Sequence, residues 1–349
     1  MGNTAFAARV LKWYDRSGRH DLPWQQQRTP YRVWIAEIML QQTQVATVIP
    51  YYQRFMAAFP DLNRLAHAPL DHVLEQWSGL GYYSRARNLH KTAGIIAADH
   101  GGEFPARFDE LVALPGIGRS TAGAILAQAM QQRHAILDGN VKRVLCRYRA
   151  IDGWPGKTAV QHQLWQYAEQ YTPDDRVADY TQAIMDLGAT LCTRASPRCT
   201  DCPLQNDCAA YALDQVSYYP SPRPKKPLPV KAARLLILTD SGSGKILLEK
   251  RPPSGIWGGL WSLPEAELEQ PIDNVCEQRW GMRVLSSKDC DAFRHTFSHY
   301  HFDITPCRVH VRSEPARVQE QADVIWCPSE QAKKRALAAP VARIISQHA

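Results

Sequence analysis

Apolar residues recur at helical spacing up to about residue 216, and strand-like alternation is hard to find in that part of the chain. A representative stripe places apolar side chains three and four positions apart, at Val141, Val144, Leu145 and Tyr148. Pro and Gly residues separate such stripes, as expected at helix ends. The pattern therefore predicts an all-α region over residues 1–216.

A different pattern begins after residue 216. Residues 217–231 carry five prolines beside basic side chains, which predicts an extended linker. Strand-like runs follow at 234–239 and 245–249 with a Ser-Gly turn between them, and a run at 302–311 is predicted to break near Pro306. A helix over 336–347 completes the pattern. Residues 232–349 are thus predicted to form a smaller α/β domain in a multidomain chain.

The charge balance favours a polyanionic partner such as nucleic acid, because 41 Lys and Arg residues outnumber 34 Asp and Glu residues for a net charge of +7. No apolar run is long enough to cross a bilayer, so no membrane partner is expected. Residues 1–24 lack the apolar core of a signal peptide and predict an amphipathic helix. We therefore expect a cytoplasmic protein whose nine cysteines are mostly reduced.

A glycine-containing turn, Leu114 to Gly118, joins two helical patterns at about residues 108–130. Gly116 and Gly118 allow the backbone to approach a ligand closely, and the following helix start offers unpaired N–H groups to a phosphate. An ordinary helix–turn–helix connection with Gly as a cap explains the same residues. The turn is therefore a candidate contact with a nucleic-acid backbone.

Four cysteines within residues 192–208 predict a metal centre. They are separated by six, two and five residues and are Cys192, Cys199, Cys202 and Cys208. Four such thiolates can hold a tetrahedral zinc ion or a cubane iron–sulfur cluster. Structural zinc sites usually pair two Cys-x-x-Cys units, and only one is present here.

Two carboxylates are candidates for acid–base chemistry. Glu37 is the only charge in the eight residues 33–40, so burial is expected to raise its pKa and keep a proton available. A glutamate that faces solvent or pairs with an arginine is the alternative. Asp138 precedes a clear helix, so Asp138 or Asn140 is predicted to be its N-cap, and a carboxylate held at a helix start is kept ionised.

The shared order of these motifs resembles the MutY family of adenine DNA glycosylases, in the endonuclease III superfamily. The resemblance implies an all-α helix-hairpin-helix glycosylase with an iron–sulfur loop, followed by a C-terminal α/β Nudix-like domain. It implies a structural [4Fe–4S] cluster on the four cysteines. It also implies that the hairpin contacts the DNA backbone, with Gly116, Gly118, Lys142 and Arg143 as the contact residues.

The same resemblance implies a mechanism of base excision. Glu37 would protonate N7 of a flipped adenine, and Asp138 would stabilise the oxocarbenium ion before water completes hydrolysis. Ser120 stands where bifunctional relatives carry a nucleophilic lysine, so a monofunctional enzyme is implied, with Ser120 and Asn140 assisting in the pocket. Lys142 lies nearby and leaves residual imine trapping open. The rivals are a bifunctional oxidised-pyrimidine glycosylase and lyase, and a non-catalytic iron–sulfur DNA-binding protein.

Recognition residues follow from the resemblance as well. Gln41, Gln42 and Thr43 continue from the Glu37 helix and would enter the duplex beside the mispair. Tyr82, in a Gly-rich turn, resembles the residue that stacks at 8-oxoguanine, although core packing is the commoner fate of a tyrosine. Trp24 and Gln182 correspond to residues of the adenine pocket.

The C-terminal segment 255–264 resembles the start of a Nudix fold, but the acidic cluster of a working Nudix hydrolase does not follow it. We therefore expect a lesion-recognition module whose contact loop is Phe297, Ser298 and His299. A buried strand edge, or a metal site formed by His295, His299 and His301, are the alternatives. The implied partner is duplex DNA with adenine opposite 8-oxoguanine or guanine, bound by a monomer.

Overall fold

The computed structural model describes residues 2–224, 227–312 and 323–349, and the chain divides into two compact units. One unit comprises Met1–His67 with Asn88–Lys225, and the other comprises Ala68–Arg87 with Lys226–Ala349. The sequence boundaries at 216 and 232 assign Ala68–Arg87 to the helical region, whereas the structure groups this segment with the C-terminal part. Lys225 and Lys226 of the predicted linker lie outside the described residues.

The described chain up to residue 212 is helical, as the apolar spacing predicts. Its helices are α1 (Gly2–Ser17), α2 (Pro30–Leu40), α3 (Val45–Ala58), α4 (Leu62–Ala66), α5 (Leu70–Trp77), α6 (Ser84–Asp99), α7 (Phe108–Ala113), α8 (Arg119–Met130), α9 (Gly139–Arg149), α10 (Thr158–Tyr171), α11 (Val177–Asp186) and α12 (Ala209–Ala212). The apolar stripe of α9 is buried throughout. No helix among the described residues is long and apolar enough to span a membrane.

Local sequence explains where the helices of the site begin and end. Thr29 caps α2 by accepting a hydrogen bond from the backbone N–H of Arg32 at 3.3 Å, and Pro30 occupies the first turn. The structure corrects the prediction that residues 41–43 continue the Glu37 helix. Helix α2 ends at Leu40, and Gln42 adopts a left-handed φ of 57°, which no α-helix tolerates, so the chain turns before α3.

The C-terminal unit is built on a mixed sheet, which confirms the predicted α/β fold. Its strands are β1 (Val230–Asp240), β2 (Ile246–Lys250), β3 (Trp261–Ser262), β4 (Glu265–Ala266), β5 (Arg283–Asp289), β6 (Phe293–Thr296), β7 (His301–Arg312) and β8 (Val324–Cys327), and its further helices are α13 (Ile272–Trp280), α14 (Ser329–Ala332) and α15 (Ala339–His348). The main path of the sheet is β3-β2-β1-β7-β5, with β1 and β7 parallel. Strand β1 includes the last two residues of the predicted linker.

Strand β7 passes through Pro306, so the predicted break is wrong. Pro306 is in register with Leu235 of β1, and its carbonyl oxygen accepts a hydrogen bond from the backbone N–H of Cys290 at 2.8 Å. Since the nitrogen and oxygen of one strand residue point to the same side, the missing N–H faces away from β1. On that far side, pairing with β6 ends at Ile304 and pairing with β5 begins at Cys307. Proline therefore removes no bond of the β1–β7 ladder.

Candidate active site

Glu37 lies in the middle of α2, whose neighbouring side chains are nearly all buried and apolar. The amide nitrogen of Gln128 on α8 donates a hydrogen bond to its Oε1 at 3.3 Å. Burial, followed by the negative charge of Asp138, raises the pKa of Glu37 to about 8. The carboxyl group therefore carries its proton near neutral pH, as the sequence predicts for a general acid.

Asp138 confirms the predicted N-cap but not the predicted ionisation preference. Its Oδ1 accepts a hydrogen bond from the backbone N–H of Val141 at 2.8 Å, and its Oδ2 accepts one from Asn140 Nδ2 at 3.1 Å. These bonds lower the pKa of Asp138, but burial outweighs them and raises it above its ordinary value. The helix start thus offsets part of the cost of a buried carboxylate.

Ser120 and Asn140 form hydrogen bonds with Leu137 and Asp138, respectively. The Ser120 hydroxyl accepts a hydrogen bond from the backbone N–H of Leu137 at 3.0 Å, directly before the carboxylate. The Asn140 amide donates to Asp138 and accepts from Arg143 Nη2 at 2.8 Å. The two residues that the resemblance places in the pocket therefore contact the segment that carries the second carboxylate.

Arg143 is expected from the resemblance to contact DNA, but its guanidinium hydrogen-bonds within the protein. Beyond Asn140, it donates to the carbonyl oxygens of Gly188 at 2.6 Å and Cys192 at 2.8 Å. A Cβ atom on Gly188 would come within 2.7 Å of the Asn140 Cβ, so glycine is needed for this close approach. Lys142, which precedes Arg143, is partly exposed.

The hairpin between α7 and α8 has the backbone geometry that its glycines predict. Gly116 has a φ of 79°, and a Cβ atom there would approach Asn88 Cβ at 2.9 Å. Gly118 is the N-cap of α8 and has no atom within 4 Å of an added Cβ. The first turn of α8 thus begins beside an open glycine, as a phosphate contact requires.

The four predicted metal ligands lie around one small pocket. Cys192, Cys199, Cys202 and Cys208 line it together with Arg147. Arg147 Nη1 lies 3.4 Å from Cys192 Sγ and donates to the carbonyl oxygen of Thr193 at 2.7 Å. Burial raises the pKa of the Cys202 thiol to about 12. No three Cys, His, Asp or Glu side chains of the described chain are arranged to share one metal ion, whereas a cubane cluster binds each of its four cysteines at a different iron atom.

The two residues that the resemblance assigns to an adenine pocket are buried, and those that it places beside the mispair lie in the turn after α2. Trp24 is buried with its ring edge-on to Tyr52 at 5.4 Å. Gln182 is also buried, and its amide donates to the Asp186 carboxylate at 2.7 Å. In the turn, Gln41 Nε2 lies 3.5 Å from the Thr121 hydroxyl at the start of α8.

A second candidate site lies within the C-terminal unit, in a pocket of about 1070 Å³. Tyr82, Phe297, Ser298 and His299 all line it. Tyr82 is 47% exposed, and Phe297, Ser298 and His299 occupy the turn between β6 and β7. The structure therefore brings together the two groups of residues that the sequence assigns to the lesion.

Sequence reasoning missed several residues that shape these sites. Gln128 contacts Glu37, but a single Gln in an apolar helix gives no signal in one sequence. Trp257 lies in the segment 255–264 that resembles a Nudix fold, and the sequence assigned it no contact. Its ring centroid lies 5.8 Å from that of Phe297. Tyr83 and Arg87 follow Tyr82 closely and hydrogen-bond to the C-terminal part of the same unit. Their signal was the unusual density of Gly, Tyr and Arg in residues 79–87.

Comparison with known proteins accounts for both units. Residues 35–170 match the HhH-GPD superfamily of base excision DNA repair proteins, and residues 234–347 match the NUDIX domain. The chain is 38% identical over 346 residues to an adenine DNA glycosylase of Buchnera aphidicola subsp. Acyrthosiphon pisum, covering 99% of this chain and 98% of the relative. It is 37% identical to the Homo sapiens adenine DNA glycosylase, covering 85% of this chain and 65% of that protein.

Solved structures agree on the helical fold. A thermostable thymine-DNA glycosylase is similar at a TM-score of 0.55 and 26% identity, covering 60% of this chain and 97% of that one. An endonuclease III–DNA complex is similar at a TM-score of 0.50 and 23% identity, covering 60% of this chain and 94% of that one.

Proposed function

The chain belongs to the adenine DNA glycosylases, base-excision repair enzymes with a helix-hairpin-helix glycosylase domain and a C-terminal Nudix domain, and from this we propose that its substrate is adenine mispaired with 8-oxoguanine or guanine in duplex DNA. The reaction is hydrolysis of the N-glycosidic bond without strand cleavage. The observation that carries this proposal is the pairing of a protonated Glu37 with a neighbouring capped carboxylate, Asp138.

The two carboxyl groups suit the two halves of glycosidic cleavage. The leaving adenine needs a proton, which Glu37 supplies because its pKa of about 8 keeps it protonated at neutral pH. The sugar becomes cationic as the bond breaks, and the Asp138 carboxylate stabilises that charge. The adenine must leave the base stack to reach these groups, so the enzyme acts on a flipped base.

Ser120 supports hydrolysis over lyase chemistry. A lyase needs an amine to form an imine with the sugar, whereas the Ser120 hydroxyl accepts a backbone hydrogen bond beside Asp138. Water is then the nucleophile that completes the reaction. Strand breakage by this protein is expected only after added alkali.

The cofactor of this proposal is a [4Fe–4S] cluster held by Cys192, Cys199, Cys202 and Cys208. Its support is that the four thiols line one pocket, with the spacing described above. Arg147 lies beside them and compensates the negative charge of thiolate ligands. Bound to these four residues, a cluster would have a structural role in the loop of residues 192–208.

The lesion side of the mispair is assigned to the pocket of Tyr82 and the Phe297 turn. Aromatic rings on two sides favour a purine by stacking, and Ser298 and His299 supply hydrogen-bonding groups at its edge. A monomer is sufficient for this function, because both sites are present in one chain. DNA with 8-oxoguanine opposite adenine is therefore the proposed partner.

A single-turnover assay on three duplexes tests the proposal. These carry adenine opposite 8-oxoguanine, thymine glycol opposite adenine, and no damage, and products are resolved with and without alkali. Adenine release from the first, with breakage only after alkali, is the expected result. Thymine glycol release with spontaneous breakage would establish the bifunctional pyrimidine enzyme instead. Tight binding without any base release would establish a non-catalytic DNA-binding protein.

A further inference from the structure

The pocket of the C-terminal unit is built from two stretches of chain that are far apart in sequence. Tyr82 comes from the turn after α5, whereas Phe297 comes from the turn between β6 and β7. A pocket that distinguishes two purines by one oxygen atom needs both walls at a fixed separation. The bonds that join the two stretches therefore bear on specificity.

The Tyr83 hydroxyl joins the turn that carries Tyr82 to a third stretch of the same unit, at Leu337. It accepts a hydrogen bond from the backbone N–H of Gly79 at 3.2 Å and donates one to the carbonyl oxygen of Leu337 at 3.1 Å, with its ring buried. The residue before Leu337 is fixed to the sheet, because the backbone N–H of Trp261 in β3 donates to the Ala336 carbonyl at 3.0 Å. Ala338, the residue after Leu337, lines the pocket.

The backbone that carries Tyr82 has an unusual conformation that must be held in place. Gly79, Gly81 and Tyr82 have φ angles of 93°, 76° and 49°. The left-handed region is unfavourable for a bulky residue such as Tyr82 unless surrounding contacts maintain it. The Tyr83 hydroxyl binds Gly79 at the start of this turn, and Arg85 Nη2 donates to the Gly81 carbonyl at 3.1 Å.

A second connection reaches the opposite wall of the pocket. Arg87 Nη1 donates to the carbonyl oxygen of Gly258. The preceding residue, Trp257, packs against Phe297 at a ring distance of 5.8 Å. Tyr83 and Arg87 thus connect the Tyr82 segment with both the Leu337 segment and the Trp257 turn.

We propose that Tyr83 is a positioning residue whose hydroxyl holds Tyr82 at a fixed separation from the Phe297 turn, and thereby sets the preference for 8-oxoguanine over guanine opposite adenine. This inference rests on the proposed function. Tyr83 also borders the pocket, but its ring is buried and its hydroxyl is bound to the backbone at Gly79 and Leu337, so it acts by holding the turn that carries Tyr82. Its removal therefore alters selectivity more than the chemical step.

The test is Tyr83→Phe in the full-length protein, which removes the hydroxyl and keeps the ring. Tyr31→Phe is the matched control, because the buried Tyr31 hydroxyl also donates to a backbone carbonyl, that of Phe59 at 2.7 Å, in the other unit. Single-turnover rates and binding are measured on duplexes with adenine opposite 8-oxoguanine and opposite guanine. Thermal unfolding of both variants is recorded in parallel.

We expect Tyr83→Phe to lower the ratio of the two substrate affinities about fivefold, the effect of one hydrogen bond, while Tyr31→Phe leaves the ratio unchanged at a similar loss of stability. In a Phe297→Ala background, Tyr83→Phe should cause no further loss of selectivity, because the second wall is already absent. An unchanged ratio in Tyr83→Phe, with a wild-type protein that prefers 8-oxoguanine, would overturn the inference. A wild-type protein without that preference would instead overturn the proposed lesion.

Discussion

At the scale of single residues, the proposed mechanism requires a proton on one of two neighbouring carboxyl groups. Glu37 is surrounded by apolar side chains of α2 and feels the charge of Asp138, so its pKa rises to about 8. Asp138 receives hydrogen bonds from Val141 and Asn140, which favour its charged form and oppose the effect of burial. The different hydrogen-bond donors of these two groups support the different roles that we propose for them.

Glu37→Gln should abolish the proton donation and leave DNA binding in place. We expect the single-turnover rate of adenine release to fall by about 100- to 10,000-fold, the usual range for loss of a general acid. Binding to the mispaired duplex should stay within about threefold of wild type, because the amide fills the same space. Glu103→Gln, a change at an exposed glutamate, is the control, and near-normal excision by Glu37→Gln would contradict the assignment.

The pH dependence of the rate follows from the same pKa. The proposed general acid is the protonated form of Glu37, so the single-turnover rate should decline as pH rises through about 8, with a slope of one on a logarithmic scale. An acid with the ordinary glutamate pKa would instead lose activity near pH 4.5. Rates measured from pH 5 to pH 9.5 decide between these outcomes, with DNA binding recorded at each pH.

Single-residue environments were only partly predictable from sequence. The lone charge in an apolar helix predicted a raised pKa for Glu37, and the position before α9 predicted the Asp138 cap. The sequence did not predict that burial would outweigh the cap at Asp138, nor that Arg143 would bind Asn140 and the Cys192 carbonyl. Both depend on how closely other elements pack, which one local pattern does not contain.

At the scale of elements, the loop of residues 192–208 is connected through hydrogen bonds to the candidate active site. Arg143 donates both to the Cys192 carbonyl and to Asn140, which in turn donates to Asp138. The conformation of the cysteine loop is therefore connected by three hydrogen bonds to the second carboxylate. Loss of order in this loop should disturb the site without altering any residue that touches the substrate.

Cys202→Ser tests the proposed cluster on this loop. We expect purified wild-type protein to contain about four iron and four sulfide ions per chain with visible absorbance, and the variant to lose most of both. Cys290→Ser is the control, because Cys290 lies outside the loop and in the other unit. Stoichiometric zinc without sulfide in the wild type would contradict the iron–sulfur assignment.

The bounds of an element were predicted well where the local sequence sets them, and poorly where contacts with other elements set them. Helix α8 begins and ends at the predicted residues, because the local sequence contains both its glycine N-cap and its apolar face. The passage of β7 through Pro306 depends on the gap between β5 and β6, which no local signal reveals. The turn after Leu40 likewise depends on Gln42 adopting a left-handed conformation that glutamine rarely takes.

At the scale of the whole molecule, the two compact units do not follow the order of the chain. Ala68–Arg87 belongs with the C-terminal residues, and Lys250 forms an ion pair with Asp71 at 2.6 Å in that unit. Sequence periodicity predicted the fold of both parts of the chain. It did not predict that Ala68–Arg87 packs with the C-terminal residues, because α5 has the same helical pattern as its neighbours in sequence. Only the long-range contacts reveal its partner.

Truncation after residue 231 should therefore do more than remove a recognition module. Buried groups of the Ala68–Arg87 segment, including Tyr83, would lose partners such as the Leu337 carbonyl. We expect the truncated protein to unfold at a lower temperature than the full chain and to bind an apolar dye more strongly. Phe297→Ala, which changes only the pocket, should show neither effect. A truncated protein as stable as the full chain would contradict this prediction.

The assembly of the C-terminal unit from two separate stretches of chain also has a consequence for biosynthesis. Its early segment ends at Arg87 and its remainder begins at Lys226, so 138 residues, 88–225, separate the two. At about 5–20 residues per second on the ribosome, α5 emerges on the order of ten seconds before its strands. During this interval the other unit can fold, whereas residues 68–87 still lack the strands that they pack against. Protection of the nascent chain by chaperones therefore matters most in this interval.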